Sequence, residues 1–343
     1  MDRKAVHVKV QGPFKVVAQK LQSRSIPIYG EGYDIEQSIL KKIGVRLDVV
    51  DAADEAAFIE VAQDADALLV YAGGLPISGN IIASLQKCKV IAVPAVGFDN
   101  VDITAATQHR IWVSNVPDVF IEEVADHTMM LLLASWRRLI TQDRIVRTGR
   151  WMEARPMLYQ FPRLMGQTLG FVSFGNVPRA VSRRAKHFGL RMTAYDPHIS
   201  ELIMCDHGVI PITQLSELLE GSDFVSVHLP LTEETHHMIS VQQFKQMKST
   251  AVFINTGRGA TVDEVALIRA LSEGWVAFAA LDVFEREPID PDNPLLEMDN
   301  VILTAHVASA SSRMRPETRR RAAQEIVRVL QGKPPLFPVN LTG

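Results

Sequence analysis

The segment from Thr168 to His198 has the pattern of one strand–helix–strand unit. Two apolar runs, Leu169–Phe174 and Leu190–Tyr195, each predict a strand. Apolar residues recur between them at helical spacing, at Ala180, Val181, Ala185 and Phe188. Two strands joined by a helix are typical of parallel sheets, so this unit favours the α/β class for the whole chain.

Two features of this unit are typical of dinucleotide binding. Gly175 precedes the predicted helix, where its backbone allows close approach of a pyrophosphate. Asp196 ends the second strand, at the usual distance of about 20 residues for the carboxylate that holds the adenosine ribose hydroxyls. A carboxylate there would repel a 2′-phosphate, so NAD is the expected cofactor rather than NADP.

The glycine fingerprint of this unit is incomplete. Ser173 and Pro178 occupy the first and third positions of Gly-x-Gly-x-x-Gly. Ser173 adds a Cβ where a tight turn favours none, whereas proline is tolerated in the first turn of a helix. Alone, the unit therefore fits either a nucleotide site or an ordinary crossover. If it binds NADH, restoring both glycines is expected to tighten binding.

Composition limits the possible partners and the compartment. The 343 residues favour two domains, and the net charge of −3 without a long basic run argues against nucleic acid. The short triplet Arg319–Arg321 is interpreted as the solvated face of a helix. Two cysteines cannot form a disulfide framework and fit the cytoplasm. The first residues lack a signal-peptide core, and the most apolar run, Met129–Ala134, is too short to span a bilayer.

Strand and helix patterns alternate from the N-terminus to about residue 115, which favours a parallel sheet covered by helices. The predicted strands are Val6–Val10, Val45–Val50, Ala67–Tyr71, Lys89–Ala95 and Ile111–Ser114. Two of them run into turns that contain glycine, at Ala72, Gly73 and Gly74 and at Val96 and Gly97. Backbone N–H groups at such strand ends are candidates for binding a small carboxylate, and ordinary strand–helix turns are the alternative.

The stretch that follows is predicted to be helical and then extended. One long helix from Val119 to Ile140 is apolar almost all round and therefore buried on several sides. Arg150–Gln167, which contains aromatic residues and prolines, is interpreted as an extended arm on another surface. Together they offer more apolar surface than one subunit readily covers, which predicts a homodimer.

Three polar residues follow successive strands of the second predicted sheet. This sheet has six predicted strands between residues 169 and 304, and a last helix is predicted at Glu317–Leu330. Arg258, Glu287 and His306 come after its last three strands, so a parallel arrangement brings them to one edge. An arginine can bind a carboxylate and polarise a carbonyl, and a histidine beside a glutamate can exchange a hydroxyl proton. Each alone has an ordinary structural interpretation, but together they predict a hydride-transfer site.

The chain resembles the D-isomer-specific 2-hydroxyacid dehydrogenases over nearly its whole length. The resemblance is carried by VGFDNVDITAA (96–106), SNVPDV (114–119), SVHLPLTEETHHMI (226–239), FINTGRGATVDEVALIRAL (253–271), LDVFEREP (281–288) and NVILTAHVASAS (300–311). It implies that Arg258, Glu287 and His306 are catalytic and that Asp196 binds the ribose of NAD. It also places Gly175, Asn176, Val177, Leu229, Pro230, Thr256, Gly257 and Asp282 along the cofactor. No metal ligand is implied.

The resemblance also implies an architecture of two doubly wound parallel-sheet α/β domains. A Rossmann-type NAD-binding domain at 117–311, including the helix and arm at 119–167, is inserted in a flavodoxin-like substrate domain at 1–116 that 312–343 completes. The substrate turns named above, with Arg258 and His306, would bind the 2-hydroxy or 2-keto acid.

Three departures from the family pattern bear on function. Ala305 precedes His306 where proline is common. Tyr71 and Ala72 stand where phosphoglycerate dehydrogenases carry an Arg-Ser pair, which favours a small non-phosphorylated substrate. Asp126 replaces a usual glutamate, as in the C-terminal-binding-protein corepressors. An NAD(H)-sensing scaffold with vestigial catalysis is therefore the alternative to an NAD-dependent dehydrogenase.

Overall fold

The computed structural model describes residues 14–20, 32–71, 74–159 and 161–341. These residues form two compact units. The first contains the residues up to Val119 together with those from Ser311 onward, and the second runs from Phe120 to Ala310. Each unit has its own parallel sheet, which confirms the predicted α/β class.

The first unit is built on five parallel strands. In chain order they are β1 (Phe14–Gln19), β2 (Val45–Val50), β3 (Ala67–Leu69), β4 (Val90–Ala92) and β5 (Trp112–Ser114). They lie in the order β2-β1-β3-β4-β5, which is the flavodoxin-like order. The strand predicted at Val6–Val10 falls outside the described residues, and β1 was not predicted.

Helices alternate with these strands. They are α1 (Asp34–Leu40), followed by a 3₁₀ turn at Lys41–Ile43, then α2 (Glu55–Ala62), α3 (Gly79–Ser84) and α4 (Ile103–Gln108). The last helix of the chain, Met314–Leu330, packs against α1 and β4 of this same unit. The prediction that Arg319 lies on a solvated face is wrong, because this packing leaves its side chain only 11% exposed and pairs it with buried Glu36 of α1.

The second unit begins with three helices where two features were predicted. They are α5 (Ile121–Trp136), α6 (Leu139–Arg147) and α7 (Trp151–Leu158). The prediction of a single helix at Val119–Ile140 is therefore wrong. The helix is interrupted at Arg138, which has a left-handed backbone with a φ of 50°. The guanidinium of Arg138 lies 4.1 Å from the ring centroid of Phe278. The extended arm is also wrong over α7, which packs against α6 and whose Ala154 carbonyl accepts a hydrogen bond from Gln142.

Seven parallel strands form the sheet of the second unit, one more than predicted. They are β6 (Thr168–Val172), β7 (Arg191–Tyr195), β8 (Ile210–Pro211), β9 (Phe224–Val227), β10 (Val252–Asn255), β11 (Phe278–Leu281) and β12 (Val301–Leu303). Their order is β12-β11-β10-β9-β6-β7-β8, the Rossmann order with a seventh strand added. The unpredicted β8 is a two-residue edge strand, where proline is tolerated. The strand order reverses between β6 and β9, so ligands are expected at the carboxyl ends of these strands.

Helices cover both faces of this sheet. Besides α5, which packs on β10 and β11, they are α8 (Asn176–His187), α9 (Glu201–Asp206), α10 (Leu215–Gly221), α11 (Val241–Gln246) and α12 (Glu264–Ser272). The closing helix of the first unit, Met314–Leu330, is α13. On β6, Leu169 and Phe171 belong to one apolar core and Val172 to the other, all fully buried. None of the helices in the described ranges is both long and apolar enough to cross a membrane.

Candidate active site

Gly175 joins β6 to α8 at the point where the strand order reverses. A Cβ built on it would meet no described heavy atom within 4 Å, and none of the described side chains caps the start of α8. The N-terminus of this 12-residue helix therefore has open space and uncapped N–H groups, as a phosphate-binding site requires. Asn176 and Val177 are its first two residues, and Pro178 is buried in its first turn.

Ser173 and Asp196 form one hydrogen-bonded turn beside Gly175. Ser173 has a φ of 75°, so a side chain stands where glycine is usual, as predicted. Its Oγ lies 3.2 Å from Oδ2 of Asp196, and the backbone N–H of Phe174 donates to the same oxygen at 2.8 Å. The other oxygen, Oδ1, accepts from the N–H of His198 at 2.9 Å. The carboxylate is thus held at the carboxyl end of β7, where a ribose-binding acid is expected.

The turns after β9 and β10 touch each other. A Cβ on Gly257 would lie 3.2 Å from the carbonyl oxygen of Leu229, so only a residue this small fits there comfortably. Thr256 is 8% exposed and its Oγ1 lies 3.0 Å from Oγ1 of Thr128 on α5. The two turns are therefore packed directly against each other at the carboxyl ends of β9 and β10.

His228 joins these two turns and was not singled out from the sequence. Its Nε2 lies 2.9 Å from Oγ of Ser226, and its Nδ1 lies 3.5 Å from Oγ1 of Thr256. Burial lowers the pKa of His228 to about 3, so the imidazole is neutral at physiological pH. The SVHLP motif marks its position, but a histidine inside a strand end gives no separate signal of this role.

Arg258 is held in an extended conformation just after β10. Its carbonyl oxygen accepts hydrogen bonds from Nδ2 of Asn255 at 3.0 Å and from Oγ1 of Thr261 at 2.7 Å. Its guanidinium Nη1 donates to the carbonyl of Gly257 at 2.9 Å. The positive charge of Arg258 adds to the lowering of the Glu287 pKa by His306, and it only partly opposes the raising of the His306 pKa by Glu287.

Glu287 and His306 form a direct pair. Nδ1 of His306 lies 2.7 Å from Oε2 of Glu287, whose Oε1 accepts from the N–H of Phe284 at 3.1 Å. The hydrogen bond that Nδ1 of His306 donates to Glu287 raises the pKa of His306 against the opposing effect of burial. Burial alone would raise the pKa of Glu287, but the bond and charge of His306 outweigh it and lower that pKa. Nδ1 thus fixes the orientation of the imidazole, and Nε2 is the nitrogen that can exchange a proton with another group.

Asp282 fixes the loop that carries His306. This carboxylate is fully buried: Oδ1 accepts from Oγ1 of Thr304 at 2.6 Å and from the N–H of Val307 at 2.9 Å, and Oδ2 accepts from the N–H of Ala308 at 2.8 Å. The backbone carbonyl of Asp282 also accepts from the N–H of His306, whose φ is 51°. Both oxygens of the Asp282 side chain therefore accept hydrogen bonds from the protein itself. Nothing in the sequence indicated this role.

Gly259 lets the Arg258 turn reach the segment that leads to Glu287. A Cβ on Gly259 would lie 1.8 Å from the carbonyl oxygen of Phe284, so no other residue fits without moving the backbone. Gly259, the second glycine of the GRG sequence, is thus required for packing, which its position in the sequence alone did not reveal.

The two turns of the first unit that were predicted to bind a carboxylate lie only partly within the described residues. Ala72 and Gly73 lie outside the described residues. The N–H of Gly74 already donates to the carbonyl of Tyr71 at 3.0 Å, within the turn. In the second turn, Nδ2 of Asn115 donates to the carbonyl of Val96 at 2.7 Å and so fixes the peptide before Gly97.

The family model for the D-isomer-specific 2-hydroxyacid dehydrogenase NAD-binding domain matches residues 129–308, which include the Gly175 turn and the Arg258, Glu287 and His306 segments. The chain belongs to this family. A glyoxylate reductase from Korarchaeum cryptofilum is 42% identical over 90% of this chain and 94% of the relative. A D-3-phosphoglycerate dehydrogenase from Methanocaldococcus jannaschii is 37% identical over 86% of this chain and 55% of the relative.

Solved structures agree with this membership. The holo form of D-mandelate dehydrogenase from Rhodotorula graminis superposes with a TM-score of 0.85 at 26% identity, covering 96% of this chain and 98% of the other. The protein is therefore an NAD-dependent oxidoreductase acting between 2-hydroxy and 2-keto acids. The alternative of a scaffold with vestigial catalysis finds no support.

Replacing Ser173 with glycine is expected to lower the Kd for NADH about two- to fivefold, the size of one modest hydrogen bond. Glycine adopts this positive φ without strain. Loss of the serine hydroxyl also removes one donor from Oδ2 of Asp196, so this oxygen can accept a ribose hydroxyl. Fluorescence titration with NADH measures the change. Pro178→Gly is the control: it removes a buried side chain from α8 and should lower Tm without tightening binding. Weaker binding by Ser173→Gly would mean that the serine hydroxyl positions Asp196.

Proposed function

We propose that this dehydrogenase reduces a small, non-phosphorylated 2-keto acid with NADH, using Arg258, Glu287 and His306 as its catalytic residues. The observation that carries the proposal is the 2.7 Å hydrogen bond from Nδ1 of His306 to Glu287, close enough to Arg258 for its charge to act on the imidazole. It leaves Nε2 of a raised-pKa imidazole to serve as the acid.

Each catalytic residue has a separate task. When bound, NADH would supply the hydride that the keto carbon requires. His306 donates the proton from Nε2 to the keto oxygen as charge develops there, and Glu287 stabilises the imidazolium that makes this possible. Arg258 binds the substrate carboxylate with its planar guanidinium and polarises the neighbouring carbonyl. In the oxidation direction, neutral His306 accepts the hydroxyl proton.

The cofactor is proposed to lie along the carboxyl ends of the second unit's strands. Open space at Gly175 and the uncapped start of α8 suit the pyrophosphate, and Asp196 suits the ribose. The proposed contacts are Gly175, Asn176, Val177, Asp196, Leu229, Pro230, Thr256 and Gly257. Asp282, proposed from the family resemblance as another contact, is better explained as the residue that fixes the His306 loop, since both its oxygens are occupied.

The first unit is proposed to supply the substrate turns, at Ala72, Gly73 and Gly74 and at Val96 and Gly97. Glyoxylate reductases among the relatives, and Tyr71 in place of an arginine that could meet a phosphate, support a small 2-keto acid such as glyoxylate. The test is NADH oxidation at 340 nm with glyoxylate, hydroxypyruvate, pyruvate, phenylpyruvate and 3-phosphohydroxypyruvate. The proposal requires the highest kcat/KM with one of the small acids, and preference for the phosphorylated acid would contradict it.

Arg258→Ala is expected to raise KM for the keto acid and lower kcat, for a combined loss in kcat/KM of about 10²–10³, because the charged bond to the carboxylate and the carbonyl polarisation are both removed. Steady-state kinetics with glyoxylate checks this, with Arg269→Ala as the control, since Arg269 pairs with Glu273 on the exposed face of α12. An unchanged KM would assign carboxylate binding to another group.

A homodimer is proposed from an exposed apolar surface on the helices that open the second unit. Its large exposed side chains are Leu139, Ile140, Trp151, Met152 and Tyr159, each more than half exposed. Several large exposed apolar side chains within one short part of the chain favour a protein interface. Light scattering should give twice the chain mass, and Trp151→Ser should shift the protein toward monomer, whereas Leu202→Ser on α9 should not. A concentration-independent monomer would refute this.

A cytoplasmic location is proposed because Cys205 is an exposed free thiol and Cys88 is buried and unpaired. Cell fractionation with a tagged full-length chain tests it, and recovery in a secreted fraction would contradict it.

A further inference from the structure

His127 on α5 contacts the carboxyl end of β12, the strand that leads to His306. Its Nε2 lies 3.0 Å from Oγ1 of Thr304 and 3.5 Å from Oδ1 of Asp282. The His127 side chain is 13% exposed and that of Asp282 is 1% exposed. Within the described ranges, His127 is the one basic side chain in ion-pair distance of Asp282. Because a buried carboxylate needs polar partners, this contact bears directly on how Asp282 is held.

The helix that carries His127 is firmly fixed. It packs against β10, β11 and β12, and its Leu131 and Leu132 are fully buried in the core. The next residue, Thr128, has its Oγ1 3.0 Å from Oγ1 of Thr256, in the turn after β10. Consecutive side chains of α5 therefore reach the ends of two strands, and His127 has a rigid support.

The hydrogen bonds between His127, Thr304 and Asp282 run in one direction. Oγ1 of Thr304 donates to Oδ1 of Asp282 at 2.6 Å. A hydroxyl has a single hydrogen, so Oγ1 of Thr304 accepts from His127 and the hydrogen lies on Nε2 of that imidazole. Hydrogen bonds in such a chain strengthen one another. His127 thus acts on Asp282 chiefly through Thr304.

Asp282 in turn holds the backbone that presents His306. Three successive N–H groups bond to it: that of His306 to its carbonyl at 2.7 Å, that of Val307 to Oδ1 at 2.9 Å and that of Ala308 to Oδ2 at 2.8 Å. His306 has a φ of 51°, which a residue other than glycine keeps only where its surroundings enforce it. A displaced Asp282 would therefore let the catalytic imidazole move.

We propose that His127 is a positioning residue for the reaction: it fixes Asp282 through Thr304 and thereby holds His306 in the geometry for proton transfer. The inference rests on the proposed role of His306 as the acid. Loss of the His127 donor should lower kcat far more than it changes the Kd for NADH, because the effect reaches the site through the His306 loop.

The test compares His127→Phe, which keeps a ring and removes the donor, with His127→Gln, which keeps an N–H donor. For His127→Phe we expect kcat with glyoxylate to fall about 5- to 50-fold, as a displacement of reacting groups by up to about 1 Å does, with the Kd for NADH within about twofold of wild type. His127→Gln should recover most of kcat. Ser135→Ala is the control on the same helix, since its buried hydroxyl donates to the carbonyl of Leu131 at 2.7 Å, and it should change Tm alone.

Two further measurements distinguish positioning from a general loss of stability. In an Asp282→Asn background, His127→Phe should lower kcat by less than about twofold more, because residues that act through one network are not additive. Amide hydrogen exchange, followed by mass spectrometry, should be faster across residues 306–308 in His127→Phe and unchanged there in Ser135→Ala.

The outcomes separate this inference from the proposed function. If His127→Phe lowers Tm but keeps the wild-type kcat and exchange rates, the imidazole is merely structural and the inference is overturned. Full additivity with Asp282→Asn would overturn it as well, because His127 would then act through another group. If wild type reduces none of the keto acids, the proposed function fails and the kinetic role of His127 falls with it, whereas the exchange rates still decide whether His127 holds the loop.

Discussion

His306→Ala lowers kcat for keto-acid reduction by about 10²–10⁴, the range attributed to general acid–base catalysis, and leaves the Kd for NADH nearly unchanged. The reason is that Nε2 of His306 supplies the proton to the keto oxygen, whereas its ring makes no bond to the proposed cofactor contacts within the described part of the chain. Stopped-flow absorbance at 340 nm separates the hydride-transfer step from product release. His237→Ala is a close control, because Nε2 of His237 lies 2.8 Å from Glu285 in a similar pair within the same unit.

The pH dependence of the reaction rates follows from the Glu287–His306 pair. The hydrogen bond that His306 donates to Glu287 raises the pKa of His306, so reduction, which needs imidazolium, declines as pH rises through that raised pKa. Oxidation needs neutral imidazole and declines as pH falls through it. Glu287→Gln removes the largest cause of the shift, so the falling limb of reduction should move to lower pH. An unchanged profile in either variant would remove His306 from proton transfer.

Asp282→Asn is expected to cost about 2–3 kcal/mol of stability, because its amide nitrogen would face an N–H or O–H donor that the carboxylate now accepts. The misplaced His306 loop should also lower kcat by about 10- to 100-fold, as a shift of reacting groups by about 1 Å does. Thermal melting and steady-state kinetics measure the two effects.

A suitable control is Asp263→Asn, since Asp263 caps α12 through a single hydrogen bond to the N–H of Ala266. If Asp282→Asn keeps the wild-type kcat but raises the Kd for NADH, Asp282 contacts the cofactor and does not position His306.

Much of the fold was predictable because parallel sheets have strong sequence patterns. Buried strands such as β9 and β10 are short apolar runs, and the helices between them show helical spacing. The break at Arg138 was not predictable, since the rings that its guanidinium packs against, Phe161 and Phe278, belong to later segments of the chain. The helix α7 was missed because Pro156 obscures its period.

The candidate site was predictable where chemistry follows strand order. Arg258, Glu287 and His306 follow adjacent parallel strands, so their convergence could be inferred from the amino-acid sequence alone. Residues that act through burial could not be found in this way. Asp282 and His228 each have a role that depends on partners from other segments, and a buried carboxylate looks the same in a sequence as an exposed one.

The pairing of Glu36 with Arg319 also constrains how the chain is built during translation. The two residues are 283 positions apart, and the whole second unit is made between them. The second unit is continuous, so it can fold on emerging from the ribosome, whereas the first must wait for α13. Until then Glu36 lacks the cation that compensates its burial. A ribosome-bound chain stopped before Arg319 should therefore present a folded second unit and a protease-sensitive first one.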